Sequence, residues 1–137
     1  MIKDYLQDAL WDLLPNHPNW YGFAKVDSNG NKIPNEQRMQ VEHVIVNKEN
    51  EGLVTRPTDE EINAKIVELQ NAEPMRLLRQ ERDRRLAETD WWCCSDQTPT
   101  QTQLDYRTAL RDLPSTASPK LNEFGFLTNV TWPTKPT

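Results

Sequence analysis

The sequence predicts an α+β chain in which an N-terminal helix and a small antiparallel sheet precede an αα-hairpin and an extended C-terminal arm. Three observations carry this. Two strand-like runs flank an Asn29-Gly30 turn; two helical patterns open on capping-box signals and are joined by only eight residues; and four prolines fall in the last 24 residues, where no periodicity is left. The implied divisions are 1–57, 58–114 and 115–137.

Taken in order, Ile2, Leu6, Leu10, Leu13 and Leu14 share one helical face and Asp4, Asp8 and Asp12 another, so a helix to about Leu14 is expected, ended by Pro15 and Pro18. Trp20–Val26 reads as a strand, and Asp27-Ser28-Asn29-Gly30 as a turn in which Gly30 tolerates positive φ. Gln40–Val46 ends in a β-branched cluster and reads as a second strand. Residues 47–57 are polar and read as a linker or a short third strand through Leu53-Val54-Thr55.

Thr58-Asp59-Glu60-Glu61 has the pattern of a capping box, with Ile62, Ile66 and Leu69 following at helical spacing. The helical pattern runs to about Thr89, but Pro74 lacks an N–H and its ring crowds the preceding turn, so a break is expected near Ala72-Glu73. Thr98-Pro99-Thr100-Gln101 gives the second capping signal. Leu104, Tyr106, Leu110 and Leu113 carry that helix, and Pro114 is expected to stop it.

The apolar share of 36% predicts a thin core that leans on the five Trp residues. Each Trp buries about 150–250 Å². A thin core also gains from association, with other subunits or with copies of itself. The net charge of −5 argues against a nucleic-acid backbone as partner. No run of 18 apolar residues supports a membrane span, and the acid-interrupted start is not expected to be a signal peptide, which points to a cytoplasmic chain. Cys93 and Cys94 are adjacent and read as reduced, half-buried thiols.

Three pieces, Arg82–Trp91, Tyr106–Pro114 and Trp132–Pro136, stand in an order and spacing that resembles the phage tail assembly chaperone family over residues 74–136. The resemblance implies tail or tail-fibre morphogenesis without catalysis, in the host cytoplasm and with other phage tail, tail-fibre or baseplate proteins as partners. Residues 1–57 have no counterpart in it. They leave room for a permanent place in the virion tail.

Candidate contact residues are Trp91 and Trp92 in the interhelical turn and Trp132 and Pro133 in the arm, because Trp is enriched at interaction hot spots. As a structural alternative, Trp91 is favoured as a plug in the open end of the hairpin, whereas for Trp92 the two readings stand level. Asp90, Tyr106, Arg107, Leu110 and Arg111 are candidates for setting the hairpin register, with Arg107 and Arg111 facing acids such as Asp83 or Asp90. The run Arg76, Arg79, Arg82, Arg84, Arg85 is interleaved with Glu81, Asp83, Glu88 and Asp90. The pairs Arg79–Asp83, Glu81–Arg85 and Arg84–Glu88 make it a solvated ion-pair face in preference to a nucleic-acid site.

Asp27, Asn29 and Asn31 begin like a calcium loop, but Lys32 and Arg38 occupy the positions that need Gly and Glu. His17 and His43 lack ligand spacing for zinc. No nucleophile, phosphate-loop or metalloprotease motif is present, so neither a cofactor nor a catalytic residue is expected.

Overall fold

The computed structural model describes residues 4–137, which form two compact units, 4–71 and 72–137. The expected helical position of Ile2 lies outside the described residues. Secondary structure runs α1 (Leu6–Leu13), β1 (Tyr21–Phe23), β2 (Val44–Val46), α2 (Asp59–Thr89), α3 (Gln101–Thr116), β3 (Lys120–Leu121) and β4 (Leu127–Thr128), with two 3-10 turns between β1 and β2, one between β2 and α2 and one between α2 and α3. The α+β class is as the sequence predicts.

In the unit 4–71, α1 buries Leu6, Ala9 and Leu10, while Trp11 on the opposite side is exposed. The end of α1 leaves carbonyls without an intrahelical donor, and the Trp20 indole N–H donates to that of Leu10 at 2.7 Å. Trp20 is thereby a core residue and a helix cap at once. β1 and β2 pair antiparallel with Tyr21, Gly22 and Phe23 opposite Val46, Ile45 and Val44. Val44 is buried and Ile45 exposed, the alternation a one-sided sheet demands. Leu6, Leu10, Trp20, Val44 and Ile62 make the core, with Val41, Val54 and Ile66 against it.

Both strands are shorter than expected. Val41–His43 coils into a 3-10 turn ahead of β2, and Leu53–Thr55 is not a strand. The reason is Arg56. Its guanidinium donates to the carbonyls of Val44 (2.7 Å), Val41 (2.9 Å) and Pro57 (2.7 Å) and to Asp59 Oδ1 (2.8 Å), so this edge is closed by a side chain where a third strand would have paired. The Asp27 turn forms as expected: its Oδ1 accepts from the backbone N–H of Asn29 and Asn31, and Gly30 takes φ +83°.

Helix α2 starts where predicted, with Glu61 N–H donating to Thr58 Oγ1 at 3.1 Å. Half of the capping box differs: the Glu61 carboxylate meets the Thr58 hydroxyl instead of its backbone N–H. The expected break is not found. α2 is helical through Pro74, which forfeits one backbone bond without ending the helix. The boundary between the two units nevertheless falls between Asn71 and Ala72, within three residues of that proline.

The second capping box sits two residues later than predicted. Thr100 accepts from Gln103 N–H at 3.2 Å and Gln103 Oε1 accepts from Thr100 N–H at 2.9 Å. Thr98-x-x-Gln101 and Thr100-x-x-Gln103 both fit the box pattern. The later register lets Gln101 reach Asp105, one turn on, at 2.8 Å. Pro114 does not stop α3, which continues to Thr116. A proline in the last turn costs only the bond to the Leu110 carbonyl, and Ala117 N–H closes the end on Leu113 at 2.9 Å.

The arm is also more ordered than predicted. β3 and β4 form a hairpin in which Lys120 and Leu121 face Thr128 and Leu127. Asn122 Oδ1 accepts from the N–H of Phe124 (2.9 Å) and Phe126 (3.0 Å), and Gly125 has φ +83°. This repeats the Asp27 turn: an Asx residue, two residues, then Gly. The signal was present in the sequence as Asn122-x-x-Gly125. After β4 the chain has no regular secondary structure.

Candidate partner-contact surface

The surface is built in the unit 72–137 around a small aromatic core. Trp92, Tyr106 and Leu110 are buried together, with Leu86 and Trp132 packed against them. Trp92 and Tyr106 rings lie 6.1 Å apart. Leu86, Tyr106 and Trp132, one from each of the three pieces Arg82–Trp91, Tyr106–Pro114 and Trp132–Pro136, thus converge in space around Trp92 of the turn.

The two turn tryptophans divide the roles weighed for them. Trp92 is 5% exposed and plugs the turn, whereas Trp91 is 58% exposed with its ring edge against Trp92 at 6.3 Å. The plug expected of Trp91 is therefore supplied by its neighbour. Residues 90–93 form a 3-10 turn, which turns consecutive side chains by about 120° and so cannot bury both.

Among the register candidates, Arg107 ties α3 to the end of α2. Its guanidinium donates to the Leu86 carbonyl (2.9 Å), the Thr89 hydroxyl (2.7 Å) and Asp90 Oδ1 (2.9 Å). Thr89 is fully buried, so its hydroxyl needs such a partner. Arg111 behaves differently from expectation. Its guanidinium donates to Thr108 one turn back on its own helix at 3.1 Å, and the acid at Asp90 is taken by Arg107.

Trp132 is half-buried, and the Arg85 guanidinium lies over its ring at 4.2 Å from the centroid. Pro133 is half-buried beside it, and Lys135 Nζ approaches Glu88 at 3.8 Å. These contacts place the terminal segment on α2.

The basic run on α2 is an ion-pair ladder. Arg84 meets Glu81 (2.7 Å) and Glu88 (3.0 Å), and Arg85 meets Glu81 (3.0 Å), two of the three predicted pairs. In place of the third, Asp83 pairs with its neighbour Arg82 at 2.9 Å. The Glu81 carboxylate is lowered to about 2 from an ordinary 4.5, first by its hydrogen bond from Arg84, with burial the next influence and opposing it, and then by the hydrogen bond from Arg85 and the charges of both arginines. Arg84 is correspondingly pushed above its ordinary range by Glu81.

Sequence reasoning missed the groove beside this ladder. It has a volume of about 660 Å³ between α2 and the β3–β4 hairpin, with Leu77, Glu81, Arg85, Phe126, Leu127 and Trp132 in its wall. Phe124 and Phe126 stand exposed at the hairpin tip. Recognising the Asx turn at Asn122 would have placed both phenylalanines on a defined hairpin.

Among the described residues no group of three or more His, Cys, Asp or Glu could hold a metal ion, and no helix is long and apolar enough to cross a membrane. Cys93 and Cys94 are free and exposed, not half-buried.

Residues 75–137 match the family model of the phage tail assembly chaperone protein, within a residue at each end of the stretch read from the sequence. No curated protein and no solved structure matches the chain.

Proposed function

We propose, from a C-terminal half of the phage tail assembly chaperone family, that this protein serves tail or tail-fibre assembly by binding other phage tail proteins, without catalysing a reaction. The family match carries the reading. It is supported by an aromatic surface of small, ordered extent: Trp91 at the interhelical turn, a residue type enriched at interaction hot spots, presented on a turn held by Trp92 and Arg107. Trp132, followed in the chain by Pro133, contributes by packing the segment after β4 against the Trp92 core, under Arg85 of α2. Assembly of this kind takes place in the cytoplasm of the host.

The test is capture from infected cells with the full chain as bait, reading the identities of retained proteins by mass spectrometry, beside the variant Trp91→Ser. Tail, fibre or baseplate proteins are expected on the parent and reduced on Trp91→Ser. Recovery of none of them by the parent removes the assembly reading. Purified particles answer a second question. A transient assembly factor is missing from them, whereas a virion subunit is present in stoichiometric amount; residues 4–71, with a core of their own, suit either role.

A further inference from the structure

The groove between α2 and the β3–β4 hairpin has an electrostatic asymmetry. Glu81 receives hydrogen bonds from both Arg84 and Arg85. Arg84 spends all three nitrogens, two on Glu81 and one on Glu88. Arg85 spends only Nε on Glu81, and its plane is held over the Trp132 ring; among the described residues nothing accepts from its two terminal amino groups. A guanidinium fixed by stacking and by one hydrogen bond, with a pair of donors to spare, fits the two oxygens of a carboxylate.

Apart from these charged groups and Gln80, the wall is apolar. Leu77, Leu127 and Trp132 line it, and Phe126, 68% exposed, stands at its edge. About 660 Å³ lies within the size range of specific ligand sites. A free small anion would leave these walls wet.

We infer that this groove is the seat for an extended segment of a partner protein in which an acidic side chain is flanked by apolar ones, the carboxylate on Arg85 and its neighbours against Trp132, Leu127 and Phe126. The inference rests on the partner-binding reading above and names the chemistry of the segment bound.

The test uses the purified full chain labelled with nitrogen-15 at its indoles, the Trp132 signal being identified from Trp132→Phe. The probes are the capped peptide Leu-Asp-Phe-Asp-Leu and its Leu-Asn-Phe-Asn-Leu counterpart. The acidic peptide should move the Trp132 resonance, leave that of Trp92 in place, weaken with added salt, and bind at least about tenfold tighter than the neutral one. Arg85→Gln should abolish the difference between the peptides. Should Arg85→Gln not fold, Phe126→Ala, at an exposed site, should weaken the acidic peptide severalfold while Arg85 remains.

Equal affinity for the two peptides, or no movement of Trp132 with either, overturns the proposal. So does a Trp132 signal that moves with protein concentration alone, since the groove would then belong to a second copy. Capture of tail proteins from infected cells that persists through Arg85→Gln would leave the assembly role standing and remove this groove from it.

Discussion

Trp20 is fully buried, and its indole N–H satisfies the Leu10 carbonyl at the end of α1. Trp20→Phe keeps an aromatic ring but removes that donor and part of the volume, so a loss of about 2–4 kcal/mol is expected in denaturant unfolding. Arg107 is a second residue whose value exceeds its visible ion pair. Its contact with the exposed Asp90 is the least of three, because the Thr89 hydroxyl and Leu86 carbonyl are satisfied by the same guanidinium. Asp90→Ala should cost under about 1 kcal/mol, and Arg107→Ala about 2–3 kcal/mol, measured the same way. Equal costs would assign the effect to the ion pair alone. The sequence placed Arg107 at the right helix end but could not say which of two arginines one turn apart would reach Asp90. That choice depends on the rotation of α3, set by Tyr106 and Leu110 entering the core. Arg56 was illegible for a related reason: a side chain that closes a sheet edge through backbone carbonyls has no periodic signature.

The elements were legible where a local chemical signal names a unique position and shifted where two positions compete. Thr58 and the Asp27 turn were found in place. Thr98 and Thr100 offer the same box, and only the hydrogen bonds separate them. Thr100→Ala should therefore destabilise by about 1 kcal/mol while Thr98→Ala is close to neutral, as thermal or denaturant unfolding can show. Prolines misled in the opposite sense. Pro74 and Pro114 both lie inside helices, since the neighbouring turns offset one lost bond. The ion-pair ladder of α2 makes a pH-dependent contribution whose sign follows from Glu81. Its carboxylate in the folded chain is lowered to about 2 from 4.5, so the stabilisation is complete above about 4.5 and is lost as pH falls toward about 2. Glu81→Gln should lower stability at neutral pH and flatten its decline across that acid window. A parallel decline in both proteins would show that other carboxylates govern it.

At the scale of the whole molecule, a chain with few aliphatic residues has divided its apolar side chains between two cores, each with a tryptophan inside: Trp20 in the unit 4–71 and Trp92 in the unit 72–137. The sequence did not show this division, because composition reports a total and the expected boundaries at 57 and 114 followed secondary structure. The compact units instead divide within α2, close to a proline that lacks a backbone hydrogen bond. A helix weakened at one point joins its halves less cooperatively than an uninterrupted one, so the two units should open with different free energies. Amide hydrogen exchange resolves this directly. Trp20→Phe should speed exchange in α1 and β2, whose side chains share its core, and leave α3 near its parent rate. Trp92→Phe should do the reverse, speeding α3 and sparing β2. Were either substitution to raise exchange uniformly from α1 to α3, the chain would unfold as one cooperative body, and the two cores would have to be treated as a single source of stability.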